Sequence, residues 1–220
     1  MKKINWKYAV GEIIIVTIGI TIAFAINQWA ENSKNNKVKK QYLQSLIVDL
    51  DSEIEGLHDN IDYFDRKMNT IHVISPFLDG KKVGRDTIMR KVFNMALIVN
   101  FRPHDATYKA LINSGDLKLF DDFDFKLMLE KHYAQHELIK QDYYRQHNIM
   151  EKYFSDFLIY EVDTRQIRNG NYDFMDKLML KNIIQSLYGT YLIAMKTAEK
   201  GIEDCEETKK VLQTELEAFN

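Results

Sequence analysis

Apolar and polar positions divide the chain into one continuous apolar run and three amphipathic stretches. From Ile13 to Ala30 eighteen consecutive residues carry no charge, and Ile, Val, Ala and Phe dominate them. A bilayer core roughly 30 Å thick needs about 20 such residues in a helix. The spacing therefore predicts a membrane helix from about Tyr8 to Trp29. Beyond it, Leu43, Ile47, Leu50, Ile54, Leu57, Ile61, Phe64, Met68 and Ile71 alternate at intervals of four and three, which predicts a long amphipathic helix. Ser75-Pro76 is expected to end it, because proline drives its predecessor out of helical geometry. A glycine-bearing loop follows, with Gly80 and Gly84.

Two short helices are expected next. Asp86 reads as the N-cap of one that finishes before Pro103. The other runs from Asp105 to Ser114, with Gly115 as its left-handed stop. Asp121 or Asp122 opens a second long helix whose stripe is Phe125, Leu129, His132, His136, Ile139, Tyr143, Gln146, Met150, Tyr153, Phe157 and Tyr160. Asn169-Gly170-Asn171 marks a turn. A third long helix is predicted from Asp173 to near Phe219, on Leu180, Ile184, Leu187, Tyr191, Ala194, Ala198, Gly201, Cys205, Thr208, Leu212 and Leu216. Stripes of this length bury one another in a bundle. The fold class is all-α: an N-terminal transmembrane helix, then an antiparallel bundle of three long helices plus two short ones. The predicted division is an anchor over 1–30, a polar stalk over 31–42 and a bundle over 43–220, with the short-helix insert at about 86–115.

Composition agrees with this. Nine Gly and two Pro in 220 residues leave little for the many turns of a sandwich or barrel. The formal net charge of −2 offers no basic field, so nucleic acid is not an expected partner. A lone cysteine, Cys205, excludes an intramolecular disulfide and a cysteine-based zinc site.

The membrane segment has its own pattern. Trp6 with Tyr8, and Trp29, bracket the apolar run as two interfacial belts about 35 Å apart. Lys34, Lys37, Lys39 and Lys40 follow it and suit anionic headgroups. A cleaved signal peptide is the rival reading, with Ala23-Phe24-Ala25 as the cleavage site, but the run exceeds a typical h-region. Glu12, Val16, Gly19, Ala23 and Asn27 stack on one side of the helix. Gly19-x-x-x-Ala23 permits close approach of a second backbone, so this stripe is the candidate seam for helix association. The alternative is that several copies line a polar path with Glu12 and Asn27.

Candidate chemistry is sparse. His132-x-x-x-His136 sets two imidazoles on one helical face, but Tyr133 stands where a zinc protease carries its glutamate. A third ligand would have to be Glu137 or a carboxylate on another helix, and the sequence names none. Both histidines are therefore read as packing residues. Arg66 and His72 match the loose spacing of helical HEPN-type ribonucleases, a lesser alternative. The acidic group around Glu203, Asp204, Glu206 and Glu207 reads as a solvated face, and the aromatic stretch from Tyr143-Tyr144 to Tyr160 as core. No phosphate loop or nucleophile elbow occurs. No catalytic residue, cofactor or metal is assigned.

The run Tyr8-Ala9-Val10-Gly11-Glu12-Ile13-Ile14-Ile15-Val16-Thr17-Ile18-Gly19-Ile20, continuing to Ile26-Asn27-Gln28-Trp29, resembles an uncharacterised Bacteroidota-type family of small single-pass membrane proteins. The stretch Ala106-Thr107-Tyr108-Lys109-Ala110-Leu111-Ile112-Asn113-Ser114-Gly115-Asp116-Leu117 is similar to that family's mid-chain segment. The resemblance implies the same architecture in a bacterial inner membrane and carries over no activity. Basic tails before the span in that family favour a cytoplasmic N-terminus and an extracytoplasmic domain, although the charges flanking this span are nearly balanced. The expected function is a non-enzymatic bundle that self-assembles or holds a protein partner at the lipid bilayer. The alternative is a homo-oligomeric pore-forming effector.

Overall fold

The structure is a computed structural model; it describes residues 6–219, except for the side chains of residues 7–9. All regular structure among them is helical. Helix α1 runs without a break from Trp6 to Leu78, 73 residues or roughly 110 Å at 1.5 Å each. It joins the apolar segment, the lysine-rich stretch and the first amphipathic stripe in one rod. Two short helices follow, α2 (Arg85–Asn94) and α3 (Ala106–Asn113), then a 3-10 turn over Asp116–Leu119. Helix α4 (Phe123–Ile149) passes through a π turn (Met150–Phe154) into α5 (Ser155–Tyr160). Helix α6 (Thr164–Arg168) and a 3-10 turn (Asp173–Asp176) lead to α7 (Leu178–Glu217).

The core is shared by α1, α4 and α7. On α1 Leu43, Leu50, Leu57, Phe64 and Ile71 are buried, as are Leu180 through Leu212 of the α7 stripe. The direction of packing follows from the paired residues. Asp51 meets Lys209, Leu57 lies against Gly201, and Phe64 stacks on Tyr191, so α7 runs antiparallel to α1. His132 meets Asp204 and Asp142 meets Thr197, so α7 is antiparallel to α4 as well. Lys39 lies 3.8 Å from Asp121 and Phe64 packs edge-on to Tyr143, so α1 and α4 run the same way. The 85–120 insert makes this possible by carrying the chain back along α1. Its contacts step down that helix: Lys67 to Asn94, Tyr63 to Leu97, Glu53 to His104, Asp49 to Thr107, and Tyr42 to Asp116.

Several boundaries differ from the sequence reading. Helix α1 does not end at Ser75 but continues through Pro76 to Leu78. Near a helix end the missing proline donor leaves little unpaired, and Phe77 and Leu78 bury their side chains. Arg85, not a residue after Asp86, begins α2, with Gly84 at φ 87° as its N-cap. Arg85 turns inward because its guanidinium binds Asp176 and, at 2.8 Å, the Phe77 carbonyl. Helix α7 starts at Leu178, since Asp173–Asp176 form a separate 3-10 turn that places Asp176 on Arg85.

The α1 stripe is also corrected. Ile47, Ile54, Ile61 and Met68 are only half-buried. The positions that complete the buried face are Leu46, Glu53, Asn60, Lys67 and Ile74, seven residues apart, three of them polar. In α4 and α5 Tyr153 and Tyr160 are exposed, and Phe154 is buried instead. The π turn holds one extra residue and moves the buried position from Tyr153 to Phe154, while Phe157 stays buried. Asp122 does cap α4, accepting from the Asp124 and Phe125 amides, and Gly115 takes φ 74°.

Candidate functional site

Two members of the polar column of α1, Glu53 and Lys67, meet the backbone of the insert that crosses it. Residues 95–104 include little regular structure, so their amides and carbonyls need partners from side chains when buried. Lys67 donates to the Asn94 carbonyl at the head of this strap, Tyr63 to Leu97, and Gln146 of α4 to Val99 at 2.6 Å. Glu53 accepts from the His104 amide at 3.1 Å. One turn below, Asp49 accepts from the Thr107 amide at 3.0 Å and so caps α3 from outside, while Asp105 pairs with Lys109.

Glu53 is the centre of a buried polar cluster. Its side chain is 2% exposed, and Oε1 lies 2.9 Å from His136 Nε2 and 3.6 Å from the Cys205 thiol, which donates to it. No partner other than Glu53 reaches the His136 nitrogen among the described residues. One helical turn earlier on α4, His132 is also 2% exposed. Its Nδ1 lies 2.6 Å from Asp204 of α7, and its Nε2 is buried without a partner among the described residues. One ligand-bearing atom from each of Glu53, His132 and His136 falls within 4.8 Å of the other two. The 4-residue spacing of the histidines supplies one side of this triad; the bundle supplies the other.

Electrostatics follow from these contacts. Burial raises the Glu53 pKa, but His136, the His104 amide and His132 outweigh it, and the carboxylate sits below its usual range. Burial, then the neighbouring Glu53, push the Cys205 thiol well above its usual value, which disfavours the thiolate. Tyr133 stacks on Tyr108 with ring centroids 4.0 Å apart, and burial raises its phenol. Phe101 packs edge-on to His136 and closes the cluster on the strap side. A groove of about 330 Å³, lined by Glu53, Asn60, Val99, Phe101 and His104 among others, leads from solvent to the Glu53 edge. Two imidazoles and a carboxylate on rigid helices can hold a divalent ion or a shared proton; nothing nearby supplies an activated nucleophile.

The other residues singled out in the sequence lie elsewhere. Glu12, Val16, Gly19, Ala23 and Asn27 are exposed along α1, and an added Cβ at Gly19 meets nothing within 4 Å. Trp6 and Trp29 are exposed at 76% and 73%, while the Tyr8 side chain lies outside the described residues. Lys34 and Lys37 are exposed; Lys39 and Lys40 are half-buried, with Lys39 over the Phe120 ring at 5.8 Å. Arg66 lines a groove with Lys91 and Asn94, whereas His72 packs edge-on to Tyr188 of α7, so the two do not converge. Of the acidic group, Glu203, Glu206 and Glu207 are exposed, and Asp204 alone turns in to His132.

Sequence reasoning found both histidines and missed Glu53 and Asp204. The signal for Glu53 was available: it stands seven residues from Leu46 and from Asn60 on a face otherwise buried. Asp204 carried none, being one acid among four. A family model described as "Family of unknown function (DUF6090)" matches residues 12–199, from inside the apolar segment well into α7. No curated protein and no solved structure matches the chain.

Proposed function

Because the chain belongs to this family of unknown function, its role has to be read from its own architecture, and we propose that it is a single-pass anchor protein that self-assembles in a bacterial inner membrane and holds its bundle there. Residues 1–30 are the anchor, 31–42 the stalk and 43–220 the bundle. The observation that carries this reading is the continuity of α1. Its apolar part is wholly uncovered by the rest of the chain, and the same helix, unbroken, forms one wall of the bundle core. An apolar surface of this length is avoided in water and suits a lipid bilayer. Thr17 and Thr21 fit it, because each returns its hydroxyl to the carbonyl four residues back at 2.8 Å. Trp6, Tyr8 and Trp29 sit at the two interfaces, and Lys34 and Lys37 meet headgroups.

Self-association runs along Glu12, Val16, Gly19, Ala23 and Asn27. The open space at Gly19 admits a second backbone, and Asn27 hydrogen-bonds across the seam. A rigid rod then transmits the spacing of the anchors to the bundles. Light scattering on the detergent-solubilised chain tests this: a defined oligomer is expected, weakened by Gly19→Ile. A monomer at all concentrations overturns it. Membrane depolarisation on overexpression that Glu12→Leu abolishes would make the seam a conducting path instead. A cysteine in the Lys81–Gly84 loop, labelled in intact cells by an impermeant thiol reagent, is expected to react and place the domain outside the cytoplasm.

A further inference from the structure

We infer that Glu53, His132 and His136 form a binding site for one divalent transition-metal ion of the zinc type, buried between α1 and α4 and braced by α7. The donor set is two imidazoles and one carboxylate, which suits zinc and its first-row neighbours rather than calcium or magnesium. Bonds of about 2.0–2.2 Å to such an ion place the ligand atoms of a tetrahedron roughly 3.4 Å apart. Glu53 and His136, at 2.9 Å, need to open slightly, and the other separations, none above 4.8 Å, need to close by at most about 1.4 Å. Both lie within side-chain adjustment.

Two buried histidine–carboxylate pairs that cross-link the helices would be the plainer account. That account explains Asp204 with His132 and Glu53 with His136 but leaves His132 Nε2 buried with nothing to bind among the described residues. An unpartnered buried nitrogen is costly, and a metal at the shared point satisfies both imidazoles and the carboxylate together. The outer contacts also have the form that metal sites use. Asp204 holds His132 Nδ1 and so leaves Nε2 as the coordinating atom. The His104 amide and the Cys205 thiol hold the two oxygens of Glu53. The groove at the Glu53 edge gives an ion its way in.

The test is zinc titration of the full chain in detergent, after chelator treatment, by calorimetry and thermal melting. The expected result is one zinc per chain and a melting midpoint that rises with zinc. His132→Ala and Glu53→Gln each weaken binding at least about 100-fold, Asp204→Asn about 10–100-fold by loosening a ligand. His58→Ala, at an exposed position of α1 away from the site, retains binding. Zinc affinity unchanged in His132→Ala and Glu53→Gln, or no stoichiometric binding by the native chain, overturns the site. Where a ligand variant fails to fold, zinc-edge X-ray absorption on the native chain decides. Two imidazoles at about 2.0–2.1 Å are expected, and a shell without them rejects the assignment.

Discussion

At Gly201 the three long helices meet. A Cβ built there meets Ile139 Cδ1 at 3.1 Å and Leu57 Cδ1 at 3.2 Å, one from α4 and one from α1. The residue is therefore set by packing, not by backbone conformation. Gly201→Val is expected to cost about 1–3 kcal/mol through overpacking, read as a lower urea midpoint. Gly189, on the same helix with nothing within 4 Å, is the control: Gly189→Ala should raise stability by about 0.5–1 kcal/mol. Lys67 offers a second test at this scale. Its ammonium is buried against Tyr63 and the Asn94 carbonyl, with Arg66 and Lys91 lining the adjacent groove, and burial lowers its pKa to about 8 from an ordinary 10.5. Between those values the unfolded chain binds the proton that the folded chain has lost. Stability should therefore rise with pH above about 8, by up to about 1.4 kcal/mol per unit. Tyr63, pushed up to about 12, titrates outside this window. Urea melts at pH 7.5 and 9.5 should show the rise, and Lys67→Met should remove it.

Periodicity read the elements well wherever the buried face was apolar throughout. Every residue from Leu180 to Leu212 in the α7 stripe is buried as its spacing implied. On α1 the same method failed at one column, because Glu53, Asn60 and Lys67 are buried and polar, and a search for apolar repeats passes over them. What holds Glu53 and Lys67 inside is backbone at the two ends of the strap, the His104 amide and the Asn94 carbonyl, and no local pattern announces a strap. The π turn is a second illegible feature. Its sequence, Met-Glu-Lys-Tyr-Phe, continues the heptad if Tyr153 is taken as the core residue, yet Phe154 is buried and Tyr153 exposed. If the extra residue is all that separates the two registers, deleting exposed Glu151 should straighten the helix and leave Phe154 facing inward. The expected cost is below about 1 kcal/mol, or roughly 2–4 °C in melting midpoint. Deleting Glu137 instead would turn His132, Leu129 and Phe125 about 100° away from α7 and should abolish cooperative unfolding. Equal losses from the two deletions would mean that the π turn has a role of its own.

For the whole molecule, the question is where one copy ends. The α1 face from Leu43 to Ile74 is consumed within the chain: Leu57 meets Gly201, Phe64 stacks on Tyr191 and packs edge-on to Tyr143, and the polar column is spent on the strap and α4. A coiled coil between two copies would have to expel α7 from that face. Residues 12–30, by contrast, are exposed throughout, covered by none of the described residues. Assembly and bundle stability should therefore separate cleanly at the polar stretch between Trp29 and Val38. A chain truncated to residues 33–220 keeps Val38, which lines a groove with α3, and Lys39, which pairs with Asp121. It should fold, unfold in one cooperative transition, and stay monomeric in light scattering without detergent. Its melting midpoint should not change over a 100-fold range of concentration, because no partner enters the folding equilibrium. A midpoint that climbs with concentration would place a second copy on the α1 face and would displace α7 from the central position that its contacts give it.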